Sequence, residues 1–143
     1  MENPGANKVE VKKVHHVSIA VNDADKVIEK WSSMFGIGPW THIDIGGTDA
    51  KGRPWKAREY HAQMGSVVIE LIQPIEGRIV QSRFLDTFGP GLHHISFQVD
   101  DLEEALSSFL AQGAELVIKD PGRFAYIKSG APDGVIIEIS KHE

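Results

Sequence analysis

The sequence contains no cysteine among its 143 residues. This absence excludes disulfide bonds, thiolate zinc sites, iron–sulfur clusters and cysteine nucleophiles. Any metal ion must therefore be bound by histidine, aspartate, glutamate, asparagine or glutamine side chains. The seven histidines and twenty acidic residues leave that possibility open.

A surplus of basic residues and long apolar runs are also missing. Fifteen Lys and Arg against twenty Asp and Glu give a formal net charge of −5, which argues against a nucleic-acid partner. No segment approaches the roughly 18 consecutive apolar residues of a membrane span. The polar N-terminal stretch MENPGANKVEVKK does not resemble a signal peptide. We therefore expect a soluble, cytoplasmic protein that acts on a small molecule, with no nucleic-acid or membrane partner.

An internal repeat is the most informative feature that is present. Residues 15–23 read HHVSIAVND and residues 93–101 read HHISFQVDD, with five of nine positions identical. A second echo lies downstream, where VIEL at 68–71 matches IIEI at 136–139. Each half therefore begins with a strand that carries two histidines and ends with a strand that carries one central glutamate.

Hydrophobic periodicity predicts the same order of elements in both halves. Alternating apolar residues predict the strands, and apolar stripes at helical spacing predict helices over 24–35 and 102–112. Each half then reads βαβββ, and a short helix over 79–88 joins them. Between the second and third strands, the polar, glycine-rich residues 46–54 predict a loop.

These elements predict one α+β domain over residues 13–141, built from two modules. Its parts are a flexible tail over 1–12, a first βαβββ module over 13–75, a connector over 76–92 and a second βαβββ module over 93–143.

Strand alternation singles out four polar residues. His16 and His94 lie on the strand face opposite the predicted helices, and Glu70 and Glu138 interrupt apolar strands on the corresponding face. If the halves pair by approximate two-fold symmetry, these four side chains converge. A buried, unpaired carboxylate is costly, and metal coordination would offset that cost. Two imidazoles and two carboxylates suit a divalent transition metal.

The motifs HHVSIAVND, VIELIQP, GLHHISFQVDD and GVIIEIS, in this order, resemble the vicinal oxygen chelate superfamily, which includes glyoxalases, bleomycin resistance proteins and dioxygenases. The resemblance covers residues 13–141. It implies two βαβββ modules forming a cup-shaped mixed sheet around a divalent metal ion (Co, Ni, Mn, Fe or Zn). The implied metal ligands are His16, Glu70, His94 and Glu138, and the implied assembly is a homodimer.

Within the superfamily, HVSIAV, ELIQP and GLHHISFQVDD look most like methylmalonyl-CoA epimerases. These isomerases abstract a proton alpha to the thioester carbonyl of an acyl-CoA. One departure is Glu70, because some epimerases have glutamine there. The His/Glu/His/Glu set is instead similar to that of glyoxalase I, a lyase acting on a glutathione hemithioacetal. However, the first strand lacks the arginine that those enzymes often use for glutathione. A non-catalytic binder similar to bleomycin resistance proteins is the third alternative.

The epimerase resemblance implies two acid/base residues. Glu138 is one, since family members use this ligand position as a base near the metal. Glu59, in the strand AREYHAQM with His61 on the same face, is the other, and its simpler interpretation is a solvated strand carboxylate. Four basic residues near the glycine-rich loop either meet the phosphates of coenzyme A or form a solvated edge: Lys51, Arg53, Lys56 and Arg58.

Overall fold

The computed structural model describes residues 9–131 and 134–141. Residues 1–8 of the predicted tail lie outside the described residues. The elements, in chain order, are β1 (Lys13–Ala20), α1 (Ala24–Phe35), β2 (Trp40–Thr48), β3 (Pro54–Met64), β4 (Val67–Glu76), α2 (Val80–Phe88), β5 (Gly91–Gln98), α3 (Leu102–Ala111), β6 (Glu115–Asp120), β7 (Phe124–Lys128) and β8 (Ile136–Ser140). The predicted α+β class and the βαβββ order of both halves are confirmed.

The chain forms two compact units. The first unit is His16–His93, and the second unit combines Met1–His15 with His94–Glu143. The residues just before β1 belong to the second unit and pack within it: the Lys12 amide donates to the carbonyl of Gln98 at 3.0 Å, and Val9 packs against the apolar core there. The end of the predicted tail therefore takes part in the packing of the second unit.

In the first unit the strand order is β2-β3-β4-β1, with β1 parallel to β4 and the other pairs antiparallel. Asp23 begins α1 by accepting a hydrogen bond from the Lys26 amide at 3.2 Å. The apolar stripe of α1, including Trp31, packs with Ile19 of β1 and Leu71 of β4. Because strand residues alternate between faces, this packing leaves the even-numbered residues of β1 on the opposite face.

The second unit repeats this arrangement. Its strand order is β5-β8-β7-β6, and β5 runs parallel to β8. Asp101 begins α3 by accepting from the Glu104 amide at 3.0 Å. Leu106 of α3 packs with Ala125 and Ile139 in an apolar core. As predicted, the apolar neighbours of the central glutamate in the last strand face the helix.

The connector helix α2 packs against β4 and covers a histidine. Phe84 of α2 meets the ring of His93 edge-on, with 5.3 Å between the ring centroids. Burial lowers the pKa of His93 to about 4, so this imidazole is neutral at physiological pH. Among the described residues, none of the helices has the length and apolar character that crossing a membrane requires.

The hairpin between β2 and β3 is longer than the sequence predicts. The predicted loop over 46–54 is wrong in its first three residues and in its last, because β2 continues to Thr48 and β3 begins at Pro54. Glycine permits this extension: a Cβ at Gly46 would lie 2.9 Å from the Trp55 carbonyl oxygen, and one at Gly47 would lie 3.4 Å from the Trp55 indole. Without side chains at these positions, the indole and backbone of Trp55 approach β2 closely.

Gly77 makes the tightest backbone approach, and its replacement tests the hairpin geometry. Its φ is +73°, and a Cβ would lie 2.5 Å from the Pro54 carbonyl oxygen. Gly52 has a φ of +77°, but a Cβ at that position would meet no atom within 4 Å. Gly52→Ala should cost about 1 kcal/mol of unfolding free energy through its φ alone. Gly77→Ala should cost about 2 kcal/mol more, because the backbone must also move. Equal losses in urea titrations of the two variants would contradict the close approach.

Candidate metal centre

The first unit places an imidazole beside a buried carboxylate. His16 and Glu70 are 4% and 6% exposed, and the parallel register of β1 and β4 sets Ser18 opposite Glu70. The Nε2 atom of His16 lies 3.6 Å from Oε2 of Glu70. The Ser18 hydroxyl donates to the other carboxylate oxygen, Oε1, at 2.7 Å. The two oxygens of Glu70 therefore have different neighbours.

The second unit contains the same arrangement. His94 and Glu138 are 1% and 7% exposed, and Ser96 lies opposite Glu138 in the parallel register of β5 and β8. The Nε2 atom of His94 lies 3.9 Å from Oε2 of Glu138. The Ser96 hydroxyl donates to Oε1 of Glu138 at 2.7 Å. The repeat seen in the sequence thus extends to individual atoms.

The spacing of these donor atoms suits a divalent cation. Two ligand atoms about 2.1 Å from one ion lie about 3.0 to 3.6 Å apart at angles between about 90° and 120°. The His16–Glu70 separation of 3.6 Å is at the upper end of that range, and the His94–Glu138 separation of 3.9 Å is just beyond it. Nitrogen and carboxylate donors together are typical ligands of Mn, Fe, Co, Ni and Zn. The donor types of both units fit such an ion, and the donor spacing falls within the range in the first unit only.

The two units differ at the strand next to each glutamate. In the first unit β3 sets His61 opposite Glu70, and the His61 Nε2 lies 3.1 Å from Oε2 of Glu70. The same nitrogen lies 3.1 Å from Oε1 of Glu59. Glu59, His61 and Glu70 together form a further group of potential metal ligands within the first unit. The prediction that Glu59 and His61 share a face of the strand is confirmed.

An aromatic residue takes the corresponding place in the second unit. Tyr126 of β7 lies opposite Glu138, and its ring centroid is 4.8 Å from that of His94. Phe124 precedes it on the same face, with 5.2 Å between the two ring centroids. Sequence reasoning did not select Tyr126. The sequence feature that could have identified it is its alternation with Ala125 and Ile127, which pack in the core on the helix side and leave Tyr126 on the opposite face.

The charges of the first unit depend on His61. Burial lowers the pKa of His61, but its hydrogen bonds to Glu59 and Glu70 outweigh that effect and raise the pKa to about 9. The pKa of Glu70 is raised above its ordinary value by burial, although the hydrogen bonds from His61 and Ser18 act in the opposite direction. At neutral pH an imidazolium at position 61 therefore lies between two carboxyl groups.

The predicted basic cluster near the glycine-rich loop is largely neutralised by nearby carboxylates. Three of its four members form ion pairs: Arg53 with Asp49 at 2.7 Å, Lys56 with Glu76 at 3.7 Å and Arg58 with Asp25 at 3.5 Å. Exposed pairs of this kind contribute little stability. They also reduce the positive potential that a phosphate group would meet, so they favour the interpretation of this cluster as a solvated edge.

The strand order and the matched His–Glu pairs agree with a family comparison. The model of the glyoxalase/bleomycin resistance protein/dioxygenase superfamily matches residues 15–128, and the chain belongs to this superfamily. The matched region includes both histidine-bearing strands and Glu70, and it ends before Glu138.

Two curated relatives resemble different lengths of the chain. The protein YqjC of Bacillus subtilis is 34% identical over 83 residues, a match that covers 54% of this chain and 59% of YqjC. The chain thus spans somewhat more than half the length of that relative. The mitochondrial methylmalonyl-CoA epimerase of Dictyostelium discoideum is 22% identical over 144 residues, covering 94% of this chain and 81% of the epimerase.

Solved structures of epimerases share the fold. The methylmalonyl-CoA epimerase of Mycobacterium tuberculosis has a TM-score of 0.70 at 24% identity, covering 96% of this chain and 92% of the epimerase. A Streptomyces coelicolor methylmalonyl-CoA epimerase variant in complex with 2-nitronate-propionyl-CoA has a TM-score of 0.71 at 18% identity, covering 92% of this chain and 95% of the variant. At these identities the similarity is one of fold.

The position of His61 between two carboxylates can be tested by NMR titration of the metal-free protein. The His61 ring should titrate near pH 9, far above an ordinary histidine, because both carboxylates stabilise its charged form. Glu59→Gln should lower this pKa by about one unit or more. Glu76→Gln, which removes an exposed carboxylate from the neighbouring strand, should leave it unchanged. A His61 pKa near 6.5 in the unmodified protein would contradict this geometry.

Proposed function

We propose that the protein is a metal-dependent epimerase that abstracts a proton alpha to the thioester carbonyl of an acyl-CoA, methylmalonyl-CoA or a close relative of it. The observation that carries the proposal is the duplicated, buried His–Glu pair. The epimerase from Dictyostelium discoideum that matches nearly the whole chain supports the choice of reaction. The similar structure in complex with 2-nitronate-propionyl-CoA supports the choice of an acyl-CoA substrate.

In this proposal one divalent ion is held by His16, Glu70, His94 and Glu138, one pair from each unit. The ion, one of Co, Ni, Mn, Fe or Zn, supplies Lewis-acid polarisation of the thioester carbonyl when it is bound. The protein contributes four buried donors, so little water competes for them. In this proposal, contacts with His61 and with the two serines hold the carboxylates of Glu70 and Glu138 in place for their role as ligands.

Epimerisation requires proton transfer on both faces of the reacting carbon, and Glu59 and Glu138 are the proposed pair. Glu59 is half-buried and its Oε1 atom is 3.1 Å from the His61 imidazolium. That contact holds the carboxylate in place next to Glu70. Glu138 is held through its Oε1 atom by Ser96, and its Oε2 atom faces His94.

A glyoxalase-type isomerisation is the second candidate. It is favoured by glutamate, rather than glutamine, at position 70, which completes a His/Glu/His/Glu set. Proton abstraction next to a carbonyl is common to both reactions, so the substrate decides between them.

Metal content tests the ligand assignment. Protein purified without added metal should contain about one divalent ion per chain by elemental analysis. His16→Ala and His94→Ala should each weaken metal binding by more than about 100-fold, because each removes a ligand whose supporting neighbours alone are worth 10- to 100-fold. His42→Ala, a change at an exposed histidine of β2, should retain the metal. A folded His16→Ala protein with full metal content would exclude His16 as a ligand.

The reaction can be tested with methylmalonyl-CoA in deuterated water. The unmodified protein should interconvert the two epimers and incorporate deuterium at the α-carbon. Glu59→Gln should slow interconversion by about 10²- to 10⁴-fold, the contribution of one acid/base group. It should still exchange the α-proton of one epimer and keep its metal, because Glu138 remains. Glu76→Gln serves as the matched control and should be fully active.

Other outcomes of this experiment would redirect the assignment. No exchange with any acyl-CoA, together with turnover of methylglyoxal plus glutathione, would identify a glyoxalase. A metal-loaded protein with neither activity would indicate a binding protein. Loss of exchange of both epimers in Glu59→Gln, with metal content unchanged, would contradict the two-base scheme.

A further inference from the structure

A buried serine accompanies each His–Glu pair at the same place in both units. Ser18 and Ser96 each follow a candidate histidine ligand by two residues, and both are 0% exposed. Each lies directly opposite its glutamate in a parallel strand pair. Each hydroxyl donates to Oε1 of that glutamate at 2.7 Å. The two serines agree in their position in the repeat, in their burial, in their strand register and in the carboxylate oxygen that they contact, which indicates a shared role.

We propose that Ser18 and Ser96 are positioning residues that fix the carboxylates of Glu70 and Glu138 for metal binding through Oε2. In both units the hydroxyl binds Oε1, and Oε2 is the oxygen on the side of the histidine Nε2. The serine thus occupies Oε1 and turns Oε2 toward the histidine. In the first unit Oε2 of Glu70 also lies 3.1 Å from the His61 Nε2, so there it would be shared between that imidazole and the ion. The inference rests on the proposed four-ligand metal site and adds two residues to it.

The energetic reason is the burial of both partners. A hydroxyl donating to an ionised carboxylate forms a charge-assisted hydrogen bond, which is about twice as strong as a neutral one. Because the serines are fully buried, water cannot readily replace a hydroxyl that is removed. The freed Oε1 atom would then be unsatisfied, and the carboxylate could rotate and offer both oxygens to the ion. We therefore expect weaker binding together with altered coordination.

A buried serine on β8 provides a matched control. Ser140 is 2% exposed, and its hydroxyl has no hydrogen-bond partner among the described residues. It lies two residues after Glu138 in the same strand. Ser140→Ala makes the same chemical change at a similar depth without removing a carboxylate contact.

The experiment compares Ser18→Ala, Ser96→Ala and Ser140→Ala with the unmodified protein, using Co²⁺ alone as the probe. We expect each of the first two variants to bind Co²⁺ about 10- to 100-fold more weakly in competition with a chromophoric chelator. Their visible d–d absorption should also change, because the coordination of the carboxylate changes. Ser140→Ala should match the unmodified protein in affinity and spectrum. Urea unfolding of the metal-free proteins measures any separate effect on stability.

The outcomes separate this inference from the proposed function. If the unmodified protein binds Co²⁺ and the two variants match it in affinity and spectrum, the serines are not positioning residues, even if metal-free stability falls. The metal site itself would stand in that case. If the unmodified protein binds no Co²⁺, the proposed metal site fails and the inference fails with it.

Discussion

The burial of two carboxylates constrains this molecule more than any other feature. Glu70 and Glu138 lie in strands whose neighbouring residues pack against helices, so neither side chain can turn toward bulk water without disrupting a core. An uncompensated buried charge costs several kcal/mol. In both units a histidine and a serine on the adjacent parallel strand offset that cost. This arrangement is possible because the first and last strands of each unit are parallel neighbours.

The duplication also distinguishes the residues that both units share from the neighbouring residues that differ between the units. His, Ser and Glu recur with the same register and the same atoms in both units, as expected for residues with one common purpose. The adjacent strand differs between the units. It carries the ion pair of His61 with Glu59 in the first unit and the aromatic pair of Tyr126 with Phe124 in the second. In the proposed reaction, the metal ligands would be alike in the two units and the residues next to them would not.

Much of the fold could be predicted from the sequence, because the repeat and the strand alternation are local signals. The bounds of α1 and the face carrying His16 and His94 follow from periodicity and capping residues alone. The end of β2 could not be predicted, since Gly46 and Gly47 are typical of loops and only the approach of Trp55 explains their place in a strand. The contact between His61 and Glu70 depends on the register between β3 and β4, which the two-residue turn at Gly65 and Ser66 sets. Ser18 and Ser96 are visible in the repeat, but their role depends on the register between parallel strands that are distant in the sequence, which no local pattern encodes.

The most direct test of the proposed four-ligand metal site is the anomalous scattering of a Co²⁺-loaded crystal. We predict one anomalous peak per chain, within about 2.0 to 2.2 Å of His16, Glu70, His94 and Glu138. A peak held instead by Glu59, His61 and Glu70, or one that involves the His–Glu pair of a single unit, would contradict the central claim.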